Sequence, residues 1–402
     1  MEAHRFPGEL KRQVEWMNCQ LGPWGEVPAQ IVSRFLQDSV LIPRADTSAA
    51  LKDGVLPEVE RILKEVHLLD ARFGPDFQRS GSYIEGLKVS EPDEFDFLVP
   101  VNGLDEKIFG LGPSTVALQE VRPDGSFVPV FLPPCQKHQA CATCGTGGKS
   151  SPTSLCSWRQ DNVSDPQPSG EWLLNPRKVM SVFKQSVSEA IREKPGKVTV
   201  QRLQQETPAV TFSVPHEQMN ISVDLVPIIK HPLVGWKIPW PRSEQSWPSP
   251  EKIHEIQIAG VDLVAKHHLY WRYSFSRVER LLLERIDEGG GHRRNSLRIL
   301  KKIRVDLWKK KYPKALVSYH LKSVLFWACE FYPSSEHWED LTESFKRLVD
   351  FLIFFLRDGR LPHYFLGSDV NLFKVDKSVL TEISQNVEKF RNSPEKYLQS
   401  SD

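Results

Sequence analysis

Gly81-Ser-Tyr-Ile-Glu-Gly-Leu-Lys-Val-Ser-Glu-Pro-Asp-Glu-Phe-Asp96 places two acids, Glu94 and Asp96, two residues apart in a β-rich run that continues through Phe97-Leu-Val99. Side chains alternate along a strand, so both carboxylates share one face while Phe95, Phe97 and Val99 turn into a core. An isolated pair of this kind is usually a solvated polar face. Here a Gly-Ser turn, Gly81-Ser82, precedes it by about a dozen residues. Glycine at such a turn lets backbone N–H groups and a hydroxyl approach phosphate oxygens with no Cβ in the way. A third acid, Asp224, lies in Asn220-Ile-Ser-Val-Asp-Leu-Val226, projecting opposite Ile221, Val223 and Leu225. If these two strands pair, three carboxylates converge on one patch of sheet.

Clustered carboxylates repel one another unless a cation neutralises them, and an all-oxygen ligand set suits the hard ions Mg²⁺ and Mn²⁺. Two such ions about 3.5–4 Å apart activate an attacking hydroxyl and steady a leaving pyrophosphate. Glu94, Asp96 and Asp224 are therefore expected to be both the metal ligands and the catalytic residues.

Outward from this core, Val55, Val59, Ile62, Leu63, Val66 and Leu69 recur at helical spacing. Phe127–Leu132 reads as a strand, Glu171–Arg192 as a helix, and Ala209–Val214 and Asn220–Val226 as two strands. Residues 133–170 are rich in Gly, Ser, Pro, Thr and Cys and read as an inserted loop. The proline- and tryptophan-rich stretch 231–250 reads as an irregular crossover. From about His254 onward the periodicity is helical. The expected fold class is α+β: an N-terminal lobe, residues 1–250, with a mixed β-sheet and long helices, and a helical C-terminal lobe, residues 251–402. The six cysteines do not make a disulfide framework, and no apolar run is long enough to span a bilayer. A cytoplasmic or nuclear location is expected.

The stretch 81–96 resembles the active-site motif of the cyclic GMP-AMP synthase-like receptors in the Mab domain nucleotidyltransferase family. The likeness continues in Pro208-Ala-Val-Thr211, Ile221–Asp224, Trp271-Arg-Tyr-Ser-Phe-Ser276, Leu297–Lys301, Ser318-Tyr-His-Leu-Lys322 and Tyr364–Phe373. Its order and spacing hold from about residue 28 to 392. The resemblance implies a nucleotidyltransferase fold with long spine helices. It implies a cyclic dinucleotide made from two nucleoside triphosphates such as ATP and GTP, in innate immune sensing. By position, Gly81 and Ser82 would hold the triphosphate, and Tyr319 would stack on a base. Lys301, Ser318 and Lys322 would line the nucleotide pocket, and Arg272 and Ser274 would contact the acceptor base. Each has a plainer reading, as core packing or a solvated helix charge. The family also includes members that act as binding scaffolds without catalysis, and the oligoadenylate synthases run similar chemistry to a linear product.

The zinc thumb of the vertebrate enzymes is missing: the interval reads Asp287-Glu-Gly-Gly-Gly-His-Arg-Arg294, without cysteine. Cys135, His138, Cys141 and Cys144 instead form a C-x2-H-x2-C-x2-C array in the inserted loop, either a zinc site or a loop of free thiols. Between Arg293 and Lys314 stand ten Lys or Arg and one acid, Asp306. This is either a solubilising face or a polyanion surface, and ten cations exceed what solubility needs. Arg293, Arg294, Arg298, Lys302, Lys309, Lys310 and Lys311 are the expected nucleic-acid contacts. Double-stranded nucleic acid is the expected activator, RNA favoured over DNA for want of the thumb, with a dimer forming on it. No membrane partner is expected.

Overall fold

The computed structural model describes residues 12–14, 19–42, 48–91, 93–104, 126–128, 130–132, 155–158, 172–194, 196–200, 207–231, 238–266 and 269–399. Ten strands precede the last helices: β1 (Gln78–Ser80), β2 (Glu94–Pro100), β3 (Phe127–Val128), β4 (Phe131–Leu132), β5 (Trp172–Leu173), β6 (Thr199–Val200), β7 (Val210–His216), β8 (Met219–His231), β9 (Val261–Val264) and β10 (Trp271–Ser274). Eight of them form one mixed sheet in the order β1-β2-β8-β9-β10-β3, with β7 also on β8 and β6 on β7. The fold is α+β, as expected. The long β8 is its hub. Its first half pairs with β7 and, in parallel, with β2, and its last residues pair with β9.

Three local expectations change. Phe127–Leu132 is two strands: β3 joins the main sheet through β10, whereas β4 pairs with β5. The sequence has a proline at 129 between them, a residue with no N–H to offer a ladder. The helix expected from Glu171 begins at Pro176, because Trp172–Leu173 is β5 and Asn175 caps the helix, its side chain accepting from the N–H of Arg177 at 2.8 Å. The sheet also runs on past residue 250, into a region where helical periodicity alone was read. Val261–Val264 and Trp271–Ser274 are each four residues long. Runs that short carry no usable period, and pairing decides their state, β9 on β8 and β10 on β9.

Helices Leu56–Leu69 and Pro176–Glu193 pack against each other. Val59, Ile62, Leu63 and Val66 from the first, and Val179, Phe183, Val187 and Ala190 from the second, are fully buried in the same core as Phe95, Phe97 and Val99. The longer C-terminal helices are Arg293–Ile303, Ser318–Phe331, Leu341–Asp358 and Lys377–Asn392, with a small hairpin of β11 (Pro362–His363) and β12 (Gly367–Asn371) before the last of these. Helix Ser318–Phe331 is central: Leu321, Val324, Leu325, Trp327 and Ala328 are wholly buried. Among the described residues no helix is long and apolar enough to cross a membrane.

The thumb interval is a closed turn. Both Asp287 carboxylate oxygens accept backbone N–H groups at the start of helix Arg293–Ile303, from Arg293 at 2.9 Å and Arg294 at 3.1 Å. His292 N–H donates to the Trp338 carbonyl at 2.7 Å. The sheet is tied to the helices through the turn after Gly81-Ser82: Lys301 Nζ donates to the Leu87 carbonyl at 2.6 Å, and Arg298 Nε donates to that of Gly86.

Candidate active site

Parallel pairing of β2 with β8 sets Asp96 opposite Asp224 and Glu94 opposite Ser222. One oxygen from each of Glu94, Asp96 and Asp224 lies within 4.8 Å of the others. The convergence anticipated from alternation is thus met, while Phe95, Phe97, Ile221, Val223 and Leu225 anchor the opposite face at 3% exposure or less. β7 adds Thr211, in register with Asp224, whose Oγ1 donates to Asp224 Oδ1. This bond orients the carboxylate. On the other flank Ser80 is in register with Asp96, and Gly81 opens a one-turn helix at φ +83°. A Cβ at Gly81 would sit 2.1 Å from Asp96 Oδ2. Glycine is therefore needed twice here, for its backbone angle and for room beside a ligand.

Burial first, then the charges of Glu94 and Asp224, push the Asp96 carboxyl up to about 7. An all-oxygen cluster whose Asp96 resists ionisation is a fit host for a divalent cation. The sign of the linkage follows. An unfolded Asp ionises near 3.8. Without metal, the folded cluster therefore loses stability as pH rises from about 4 through about 7. A bound cation removes that cost and competes with the proton. Added Mg²⁺ or Mn²⁺ is therefore expected to raise the thermal midpoint more at pH 8 than at pH 6. Equal shifts at both pH values, read by differential scanning fluorimetry, would contradict a metal-binding cluster.

A cavity of about 490 Å³ opens beside the carboxylates between sheet and helices. Gly81, Ser82, Arg272, Ser274, Lys301, Ser318, Tyr319 and Lys322 all line it, together with Asp96 and the apolar Leu98, Val226 and Val264. Leu98 follows Asp96, and Val226 follows Asp224, by two residues. Strand alternation thus puts an apolar floor next to the acids on the same face of the sheet. Burial lowers the Lys301 ammonium to about 8. Lys322 is held differently, its Nζ donating to Glu85 at 2.6 Å and Glu279 at 2.9 Å. Burial opposes its charge, but Glu279 and Glu85 outweigh burial and raise its pKa. Ser274 Oγ lies 3.2 Å from Ser276 Oγ. Arg272 Nε is buried without a partner among the described residues.

The expected nucleic-acid contacts divide. Arg293 is buried, not outward: its guanidinium donates to the carbonyls of Ile286 at 3.3 Å and Pro333 at 3.1 Å, over the Trp338 ring. Arg294 donates to the Leu283 carbonyl, and Arg298 to that of Gly86. These arginines satisfy carbonyls around the closed turn and the site. Lys302 pairs with Asp306 at 2.8 Å, while Lys309, Lys310 and Lys311 are exposed, Lys311 meeting Glu382 at 2.5 Å. Cys135, His138, Cys141 and Cys144 lie outside the described residues.

Residues 83–285 match the Mab-21 protein nucleotidyltransferase domain, and residues 292–389 match the Mab-21 protein HhH/H2TH-like domain. The chain belongs to the Mab-21 family. Its relatives include protein mab-21-like 3 of Xenopus laevis, 29% identical over 85% of this chain and 90% of that protein. Protein mab-21-like 3 of Danio rerio is 32% identical over 56% of this chain and 58% of its own length. Mouse cyclic GMP-AMP synthase is 26% identical over 89% of this chain and 68% of that enzyme.

Thr211, Glu85 and Glu279 had no role in the sequence reading. Thr211 follows Val210 in a short alternating run, which marks it as sharing a face with the site only once β7 is known to pair with β8. Glu85 and Glu279 are 6% and 4% exposed. In sequence Glu85 looks like an ordinary turn acid and Glu279 like an ordinary helix acid. Only the arrival of Lys322 from another helix pairs both acids with one ammonium, Glu85 at the cavity lining.

Proposed function

We propose that this chain is a nucleic-acid-activated nucleotidyltransferase that makes a cyclic dinucleotide from two nucleoside triphosphates, acting in innate immune sensing in the cytosol or nucleus. The observation that carries this reading is the convergence of Glu94, Asp96 and Asp224 beside a cavity that reaches Tyr319. Two Mg²⁺ or Mn²⁺ ions held by those carboxylates would sharpen the attacking hydroxyl and neutralise the leaving pyrophosphate. Thr211 keeps Asp224 turned toward the cluster. Gly81 and Ser82 hold the triphosphate with backbone N–H groups and a hydroxyl, next to Asp96. Tyr319 stacks on a base, Leu98, Val226 and Val264 take its apolar face, and Arg272 offers a free donor to the acceptor base. Incubation with Mg²⁺ or Mn²⁺, mixed triphosphates and duplex RNA or DNA, read by mass spectrometry, tests this. A cyclic dinucleotide supports it, and a linear oligonucleotide would replace it with the related chemistry.

A second reading, a family member that binds nucleic acid or protein without catalysis, is favoured by the greater identity to the mab-21-like 3 proteins. The site opposes it: an acidic cluster costs stability when nothing neutralises it. No product under any of these conditions would favour the scaffold.

For the activator, the exposed Lys309, Lys310 and Lys311, past the far end of the helix that starts from the closed, thumbless turn, suit the wide minor groove of A-form RNA, recognised by shape and phosphates. Duplex RNA is expected to stimulate synthesis more than duplex DNA of equal length, with binding that weakens steeply with salt. Reversing the three lysines to Glu should abolish stimulation and spare basal Mn²⁺-driven synthesis. Equal or greater stimulation by DNA would overturn the preference.

A further inference from the structure

The Tyr319 hydroxyl lies 3.1 Å from Nε2 of His363, a residue of β11 that no step above uses. His363 is 7% exposed. Its other ring nitrogen, Nδ1, accepts the backbone N–H groups of Phe365 at 3.2 Å and Leu366 at 3.3 Å. A ring nitrogen that accepts N–H bonds carries its lone pair there, so the neutral imidazole bears its proton on Nε2. Burial, then Arg272 and Lys374, push the His363 imidazolium down to about 3, and the ring is neutral at physiological pH.

The direction of every bond then follows. His363 Nε2–H donates to the Tyr319 oxygen. That oxygen accepts, so the tyrosine keeps its own O–H as a donor. The chain runs one way, from two backbone amides through the imidazole to the phenol. Phe275 packs on the imidazole with ring centroids 5.0 Å apart, which holds the donor in place. A fixed donor at its oxygen holds the far end of the Tyr319 side chain in one place.

We infer that His363, as its Nε2–H tautomer, is a positioning residue that locks the Tyr319 ring against the cavity wall, ready for a nucleobase. This rests on the proposed function for the identity of the ligand, not for the tautomer. A platform fixed before binding spares the ligand the cost of ordering it. His363→Asn keeps an acceptor for the two amides but brings no donor to Tyr319.

Long-range ¹H–¹⁵N spectra of ¹⁵N-histidine protein test the tautomer whether or not the chain is an enzyme. His363 should show a protonated Nε2 and a bare Nδ1, and a proton on Nδ1 or an imidazolium would overturn the inference. In synthesis assays, His363→Asn should raise the triphosphate KM about five- to tenfold, the worth of one hydrogen bond, and leave kcat within about twofold. The same change in a Tyr319→Phe background should do almost nothing. An equal effect in both backgrounds would mean that His363 merely supports the fold, and would sink the inference. Should the chain make no product, the proposed function fails. The cycle is then read by calorimetric titration with Mg-ATP, where absent or unaltered binding would overturn the positioning role.

Discussion

Asp96→Asn or Asp224→Asn is expected to reduce synthesis by at least about a thousandfold, roughly 4 kcal/mol of transition-state stabilisation. The fold should survive. Asp96 resists ionisation because it is buried beside two further acids, so the amide removes a repulsion and leaves the backbone ladder of β2 on β8 intact. Without added metal, the thermal midpoint of Asp96→Asn should therefore equal or exceed that of the parent at pH 8. The metal-induced rise should disappear. Activity lost with stability kept, and with binding to duplex RNA unchanged, is the pattern of a ligand and not of a structural residue. Either variant turning over at a near-parental rate in saturating Mg²⁺ would remove the carboxylates from the chemistry.

Gly81→Ala should be nearly as damaging, for a different reason. Its backbone sits at φ +83°, where an L side chain is strained, and the new methyl would lie 2.1 Å from Asp96 Oδ2. The carboxylate must swing away or the turn must open. Either moves the triphosphate anchor relative to the acids, and a shift of about 1 Å at a reacting centre costs on the order of 100-fold. Gly290→Ala is the control. Its φ is +92°, with nothing within 4 Å of the added Cβ. It should lose about 1 kcal/mol of stability from backbone strain alone and keep its rate. If both glycine variants lose the same fraction of activity, the close contact with Asp96 is not what matters at Gly81.

The sequence by itself determined the acids and their face. Alternation in Glu94–Val99 and Asn220–Val226 is a property of any extended chain, so the side on which each carboxylate projects needed no partner to be known. The Gly81-Ser82 turn and the long helices were legible for the same reason, since turn chemistry and a period of 3.6 are local. Tertiary structure decided everything that depends on which element lies beside which. The parallel register that sets Asp96 against Asp224 is a choice among registers that alternation alone allows. β9 is a strand because β8 offers it an edge, and β10 because β9 does, not because four residues insist on it. The basic run between 293 and 314 looked uniform in sequence. Packing sorted it: Arg293 turned inward to satisfy carbonyls of the closed turn, Lys301 went to the cavity, and Lys309 to Lys311 were left in water. A charge's role depends on its neighbours' unpaired groups, and those are assembled from distant parts of the chain only when it folds.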